Sequence, residues 1–188
     1  AAERAGATHL VYTSMPKPEG SPALLAPSHL GTEKALAASR LPGWTVLRNN
    51  WYAENLLMWA PQAVATGEWV TAAGKGGIAY VSRDDLALAA ATALAQGDGR
   101  RILTLGGLRA IPADQAAALV ADAAGRPIRV VHVGGDALVA GLTGAGFPEP
   151  VAHLLASLDA HVAAGGLAEV TGDFRALTGR DPQALEAW

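Results

Sequence analysis

The run Thr45-Val46-Leu47-Arg48-Asn49-Asn50-Trp51-Tyr52-Ala53-Glu54-Asn55 sets the strongest constraint on what this chain folds into. It opens as a short strand, with β-branched Thr45 and Val46 beside Leu47. It then turns polar and aromatic and continues as an apolar helix. Polar side chains concentrated where a strand passes into a helix are what the carboxyl end of a parallel α/β strand presents to a ligand. An asparagine-capped turn is the simpler reading, but a cap uses one Asn and has no need of Arg48, Trp51, Tyr52 and Glu54 as well.

The flanking sequence alternates strand and helix. Residues 1–7 read as the end of a helix stopped by Gly6. Thr8–Tyr12 reads as a buried strand ending at Thr13-Ser14. Met15–Pro27 holds too many Pro and Gly for a helix, so the next helix is expected over His29–Ser39 with Ser28 as its cap. After the central turn, the helix from Tyr52 to Val64 is apolar on several faces and is expected to pack on both sides. Short strands follow at Trp69–Thr71 and Ile78–Val81. Ser82 with Asp85 forms a capping box for a helix through Ala95. Arg101–Leu105 and Ile128–Val133 read as strands, separated by a helix from Pro112 to Ala124. The remainder predicts helices near Asp136–Thr143, Pro148–Ala164 and Pro182–Trp188. Such alternation predicts an α/β fold with a mostly parallel sheet and a helical lobe closing over its carboxyl edge.

Composition narrows the function classes. With 51% hydrophobic residues in a chain of 188, there is enough apolar side chain for a sizeable core. A net charge of -3 leaves no basic excess for phosphate backbones, which argues against nucleic acid as a partner. No apolar run is long enough for a bilayer span, so no membrane partner is expected. The chain has no cysteine, which removes thiol chemistry and disulfides and fits a cytoplasmic setting. The five histidines lack metal-ligand spacing, so no metal is expected. Gly141, Gly144 and Gly146 mimic a phosphate-binding turn, but no strand precedes them and Phe147-Pro148 follows.

Two basic residues need a reading. Lys34, in His29-x-x-Thr32-Glu33-Lys34, lies on the helix that follows the Thr13-Ser14 strand end. There it either serves a ribose or a proton transfer, or is a solvated helix lysine. Arg83 sits in the first turn of a helix, where a cation is disfavoured. It answers either to its acidic neighbours or to an anionic ligand. Leu30 stands four residues before Lys34, where a typical short-chain dehydrogenase carries its catalytic Tyr.

Taken in order, several motifs resemble the NmrA-like atypical short-chain dehydrogenases/reductases, above all their NADPH-dependent quinone oxidoreductase type 2 branch and triphenylmethane reductase. The motifs are Tyr12-Thr13-Ser14, His29-x-x-Thr32-Glu33-Lys34, Leu47 to Asn55, Ala72-Ala73-Gly74-Lys75-Gly76, Ser82-Arg83-Asp84-Asp85 and Leu177-Thr178-Gly179-Arg180-Asp181-Pro182. The resemblance implies the C-terminal portion of a Rossmann-type sheet, with residues 1–110 forming a partial NAD(P)-binding domain interwoven with lobe segments. Residues 111–188 then form mainly a substrate-binding lobe. It implies NADPH as cofactor, with NADH as the alternative, and a quinone-like small-molecule acceptor. The residues it assigns to the cofactor are Thr13, Ser14, Asn49, Asn50, Trp51, Tyr52, Ala53, Glu54 and Arg83; proton transfer falls to Lys34, Tyr52 or water. In that family the chain begins with a glycine-rich turn for the pyrophosphate, which implies ~90 further residues upstream. A homodimer or a partner supplying that half is then expected, because the sheet would otherwise carry an open edge. The alternative function is a non-catalytic dinucleotide-sensing regulator, since fold alone does not decide activity.

Overall fold

Strand β2 (Gly43–Asn49) lies between β1 (His9–Ser14) and β5 (Arg100–Leu105), all three parallel. The computed structural model describes residues 2–188; Ala1, part of the expected N-terminal helix end, lies outside them. Register pairs Tyr12 with Val46 and Val46 with Ile102, so the sheet is aligned through the apolar centre of β2. A strand covered on both faces needs apolar residues at successive positions rather than alternate ones. Val46 and Leu47, both without solvent exposure, satisfy this on opposite faces.

Val46 packs with Trp44, Leu36 and Leu41, under helix α1 (Ala26–Ala37). Leu47 packs with Val81, Leu86, Ala89, Ala93 and Phe174, under α3 (Arg83–Gln96) and α7 (Asp173–Thr178). Full burial of such a side chain contributes ~1.5–3 kcal/mol. The α/β architecture with a parallel sheet and helices on both faces is therefore as expected.

The rest of the chain builds a second body of structure beside the carboxyl end of this sheet. Helix α2 (Leu56–Thr66) leads into β3 (Glu68–Thr71), which pairs in parallel with β7 (Arg129–His132). Strand β4 (Gly77–Ile78) pairs antiparallel with β6 (Ile111–Pro112), which leads into α4 (Ala113–Ala124). Helices α5 (Gly135–Gly144) and α6 (Glu149–Ala163) form an antiparallel pair. The chain therefore crosses between the two bodies more than once, and α7 returns to the sheet from beyond residue 111.

Several local expectations are corrected. Helix α1 starts at Ala26, not at Ser28, because Pro27 is tolerated in a first turn whose N–H groups have no partner. Helix α2 is preceded by a 3-10 turn over Ala53–Asn55 and is not packed on both sides: Leu57 and Met58 are 62% and 65% exposed. Beyond Ile78, the run through Val81 joins no ladder of its own. It threads between neighbours, with Ala79 N–H donating to Leu167 O and Val81 N–H to Trp51 O. Gly107 lets it pass, since a Cβ there would stand 2.0 Å from Tyr80 O. The expected helix over Pro182–Trp188 is a single 3-10 turn, Leu185–Ala187. The helical turn in this region is instead α7, which lies between Gly172 and Gly179. The capping box is half formed. Ser82 Oγ accepts from Asp85 N–H at 3.1 Å, while the Asp85 carboxylate accepts from Arg180 and from Gln183 N–H.

Candidate functional site

Parallel strands end together at Ser14 and Asn49, and a cavity of ≈ 310 Å³ opens there. Of the expected site residues, Thr13, Ser14, Asn49, Asn50, Trp51, Tyr52 and Arg83 all line it. Lys34, Ala53 and Glu54 do not. Lys34 is exposed on the outer side of α1. Ala53 is buried, with its N–H donating to Val81 O. Glu54 turns to α3, where its carboxylate accepts from Arg83 N–H at 2.9 Å and offsets the positive end of that helix.

The two asparagines differ in what they leave free. Asn50 is 1% exposed and both its amide atoms are engaged: Nδ2 donates to Leu167 O at 3.0 Å and Oδ1 accepts from Trp51 N–H at 2.8 Å. Asn49 Oδ1 is buried and has no hydrogen-bond partner. A buried acceptor left unpaired costs ~1–3 kcal/mol. Asn49 lines the cavity, with this oxygen beneath its surface.

Arg48 is not available to a ligand. Its guanidinium donates to both oxygens of Glu33, at 3.1 and 2.6 Å, and again to Glu19. Ser14 Oγ donates to the same Glu33 carboxylate at 2.6 Å. The Glu33 hydrogen bonds raise the Arg48 pKa against the pull of burial, so the arginine stays charged. The network ties α1, the end of β1 and the Glu19 loop to the end of β2. Arg83 is the contrasting case. Its guanidinium lies 5.1 Å from the Tyr52 ring centroid, a cation–π distance. It has no carboxylate within ion-pair distance among the described residues.

Two histidines in the cavity wall were not expected there. His29 Nδ1 is 2.9 Å from the Tyr12 hydroxyl. His161, on α6, is 2% exposed. Its Nε2–H donates to Pro16 O at 3.2 Å, so Nδ1 accepts from the Ser21 hydroxyl at 2.9 Å. Burial lowers its pKa, only partly opposed by the Pro16 hydrogen bond. Gly166 lies flat on the ring, where a Cβ would come within 2.0 Å. His161 lies 140 positions from Ser21, and no local pattern signals a contact of that span. His29 was visible within the His-x-x-Thr-Glu-Lys motif, but nothing in the spacing says that its ring reaches the cavity.

A second cavity of ≈ 930 Å³ adjoins the first, and Trp51, Asn55, Leu158 and Leu167 line both. Trp51 also belongs to both hydrophobic clusters behind it, one around Leu56 and Tyr80 and one around Ala73, Val162 and Leu167. The Asp159 carboxylate is one of the few charged groups in its wall. It accepts from the Thr71 hydroxyl at 2.9 Å and from Ala72 N–H at 2.6 Å, and burial raises its pKa despite these bonds.

No family model matches the chain. It is 35% identical over 186 residues to quinone oxidoreductase 2 of Escherichia coli, covering 98% of this chain and 65% of that protein. The chain thus spans just under two thirds of that relative's length. A crystal structure of the E. coli NADPH-dependent quinone oxidoreductase superposes with a TM-score of 0.92 at 34% identity, covering 99% of this chain and 68% of that one. Its complex with NADPH gives 0.93 at 34% identity, over 98% and 65%. Triphenylmethane reductase of Citrobacter sp., complexed with NADP(H), gives 0.88 at 29% identity, over 99% and 66%.

Proposed function

The chain belongs to the NmrA-like atypical short-chain dehydrogenase/reductase family, and on that premise we propose that it works as an NADPH-dependent reductase of quinones or similar planar electrophiles. The observation that carries this reading is the convergence of Thr13, Ser14, Asn49, Asn50, Trp51, Tyr52 and Arg83 on the small cavity at the strand ends. Such a polar and aromatic lining suits a nicotinamide ring, and Arg83, a cation without a carboxylate partner among the described residues, suits the dinucleotide's phosphates. Thr13, Ser14 and Tyr52 complete the walls that would hold the ring. When bound, the cofactor supplies a hydride. The protein's own share is to orient two flat rings and keep water away, and Trp51, partly buried between the two cavities, offers the acceptor an aromatic surface.

A two-electron reduction by hydride leaves the acceptor one proton short. We assign that proton to His29 rather than to Lys34. As an imidazolium the ring donates Nδ1–H to the Tyr12 hydroxyl oxygen and gives its Nε2 proton to the reduced acceptor, returning to the neutral ring; Nε2 has no hydrogen-bond partner among the described residues. Lys34 lies outside the cavity, and the Tyr52 ring is covered by Arg83. Strand β1 is paired on one side only, which supports addition of a strand there, from elsewhere in the complete protein or from a second copy. No helix among the described residues is long and apolar enough to cross a membrane.

The test is oxidation of NADPH by benzoquinone in the complete protein, with Asn49→Ala beside the native form. The reading expects acceptor-dependent oxidation and weaker NADPH binding in the variant. NADPH binding with no acceptor-dependent oxidation would mark the protein as a dinucleotide sensor instead.

A further inference from the structure

The larger cavity is unlike the smaller one in size and lining. Residues of α2, β3, α5 and α6 line ≈ 930 Å³, and the walls include Trp51, Trp59, Trp69, Leu138, Leu142 and Phe147. Its two charged groups are engaged by the fold: Asp159 accepts two hydrogen bonds and Glu68 pairs with Arg129. Whole-ligand pockets span roughly 300–1,000 Å³; the smaller cavity, at ≈ 310 Å³, is assigned to the cofactor ring, and the larger is further space beyond Trp51. Apolar walls with nothing between them forgo the dispersion contacts that an occupant of matching chemistry restores.

The mouth carries the same signature. Trp59 of α2 and Phe147 of the turn between α5 and α6 meet with ring centroids 6.3 Å apart. Beside them Met58, 65% exposed, also lines the cavity. Exposed large apolar groups at the rim of an apolar cavity mark a hydrophobic entrance.

We propose that the larger cavity binds the hydrocarbon tail of a two-part acceptor, whose planar electrophilic head lies against Trp51 at the junction with the smaller cavity. This rests on the reductase reading for the head. The tail site itself stands on the cavity alone. The shared wall of Trp51, Asn55, Leu158 and Leu167 is where head and tail join. The acceptor class is therefore a quinone-like ring with a long apolar substituent, and not a bare ring or one with a charged substituent.

Gly141 provides the test. It lies on α5 in the cavity wall, and a Cβ built there meets no heavy atom within 4 Å. Gly141→Leu therefore adds bulk at the cavity wall with no clash at its Cβ, and a helical Gly replaced by Leu favours the fold. Three of the five tryptophans line this cavity, so their emission reports its occupant without any turnover. Bromodecanol, a tail with no quinone head and a heavy-atom quencher, is titrated into the complete protein and into Gly141→Leu. The expected result is saturable quenching, with binding weakened about tenfold in the variant, since each excluded methylene is worth up to about fourfold. Absence of saturable quenching, or equal quenching in both proteins, overturns the tail site.

A second arm compares benzoquinone with decylbenzoquinone. The tail site expects a higher kcat/KM for the decyl form, and a loss of that advantage in Gly141→Leu with benzoquinone turnover unchanged. If bromodecanol binds as expected but neither quinone is reduced, the tail site is supported and the reductase reading fails. If benzoquinone is reduced and bromodecanol does not bind, the reductase reading stands and the tail site is overturned.

Discussion

The Tyr12 hydroxyl, on strand β1, lies 2.9 Å from Nδ1 of His29, on helix α1. The pair fixes the ring's orientation and leaves one nitrogen for the cavity. His29→Gln keeps a polar side chain but cannot carry a proton, and is expected to lower kcat for quinone reduction about 10²-fold or more. Tyr12→Phe removes only the orienting bond. It is expected to lower kcat less. Lys34→Met, on the exposed side of α1, should stay within about twofold of the native rate. Steady-state kinetics across pH on the three variants would check this; equal effects of His29→Gln and Lys34→Met would remove the histidine from its role.

Glu33 is 6% exposed and holds both Arg48 and Ser14. Glu33→Ala leaves the Arg48 guanidinium, largely buried, with only the exposed Glu19 as counter-ion. Loss of one member of such a pair costs ~3–5 kcal/mol. Denaturant unfolding should show this as a lower midpoint, with Glu33→Gln intermediate because it keeps an acceptor for Ser14.

His161 makes stability fall on the acid side. Burial depresses its pKa below the ordinary 6.5, so the folded state prefers the neutral ring and the unfolded state takes the proton first. By linkage, its contribution is complete above 6.5 and is lost as the pH falls through the folded value. Thermal melts from pH 7.5 downward should show a decline that His161→Gln flattens. Gly166→Ala, which drives a methyl into the ring, should destabilise at every pH by ~1–3 kcal/mol.

Asp159 acts in the opposite direction. Burial raises its carboxyl pKa above 3.8, although hydrogen bonds from Ala72 and Thr71 favour the anion. A raised folded pKa gives stability that is complete below the unfolded value and is lost as the pH rises through the folded one. Asp159→Asn keeps an acceptor for Thr71 and Ala72 without a charge. It is therefore expected to match or exceed the native stability at pH 7, with the gap closing toward pH 3. Asp159→Ala, which leaves both donors unpaired, should cost ~1–3 kcal/mol at either pH. Chemical denaturation at the two pH values separates the variants.

What could be seen in the sequence follows from the range of the interactions. The run from Thr45 to Leu47 is β-branched and apolar, and this local pattern is enough to mark a strand; that both its faces are covered is a property of the fold. Ser82 is an N-cap because its partner is three residues away. Pro27 and the small helix α7 were missed because proline tolerance and a six-residue helix leave weak local signals. At the candidate site, strand-end residues such as Ser14, Asn49 and Tyr52 were visible as a polar cluster at a strand-to-helix turn. Arg48 shared that cluster, yet it serves Glu33 and Glu19, and only the fold shows which of two adjacent polar residues turns inward. His161 and the larger cavity depend on contacts more than a hundred positions apart, which no window along the chain can register.

The buried amide of Asn50 joins the end of the sheet to Leu167 through one side chain and grips Trp51 through the same group. Trp51 and Leu167 are walls common to both cavities. One carboxamide therefore holds the partition between the two cavities, and a side chain at position 50 that cannot both donate and accept would leave that partition without its tie to the sheet.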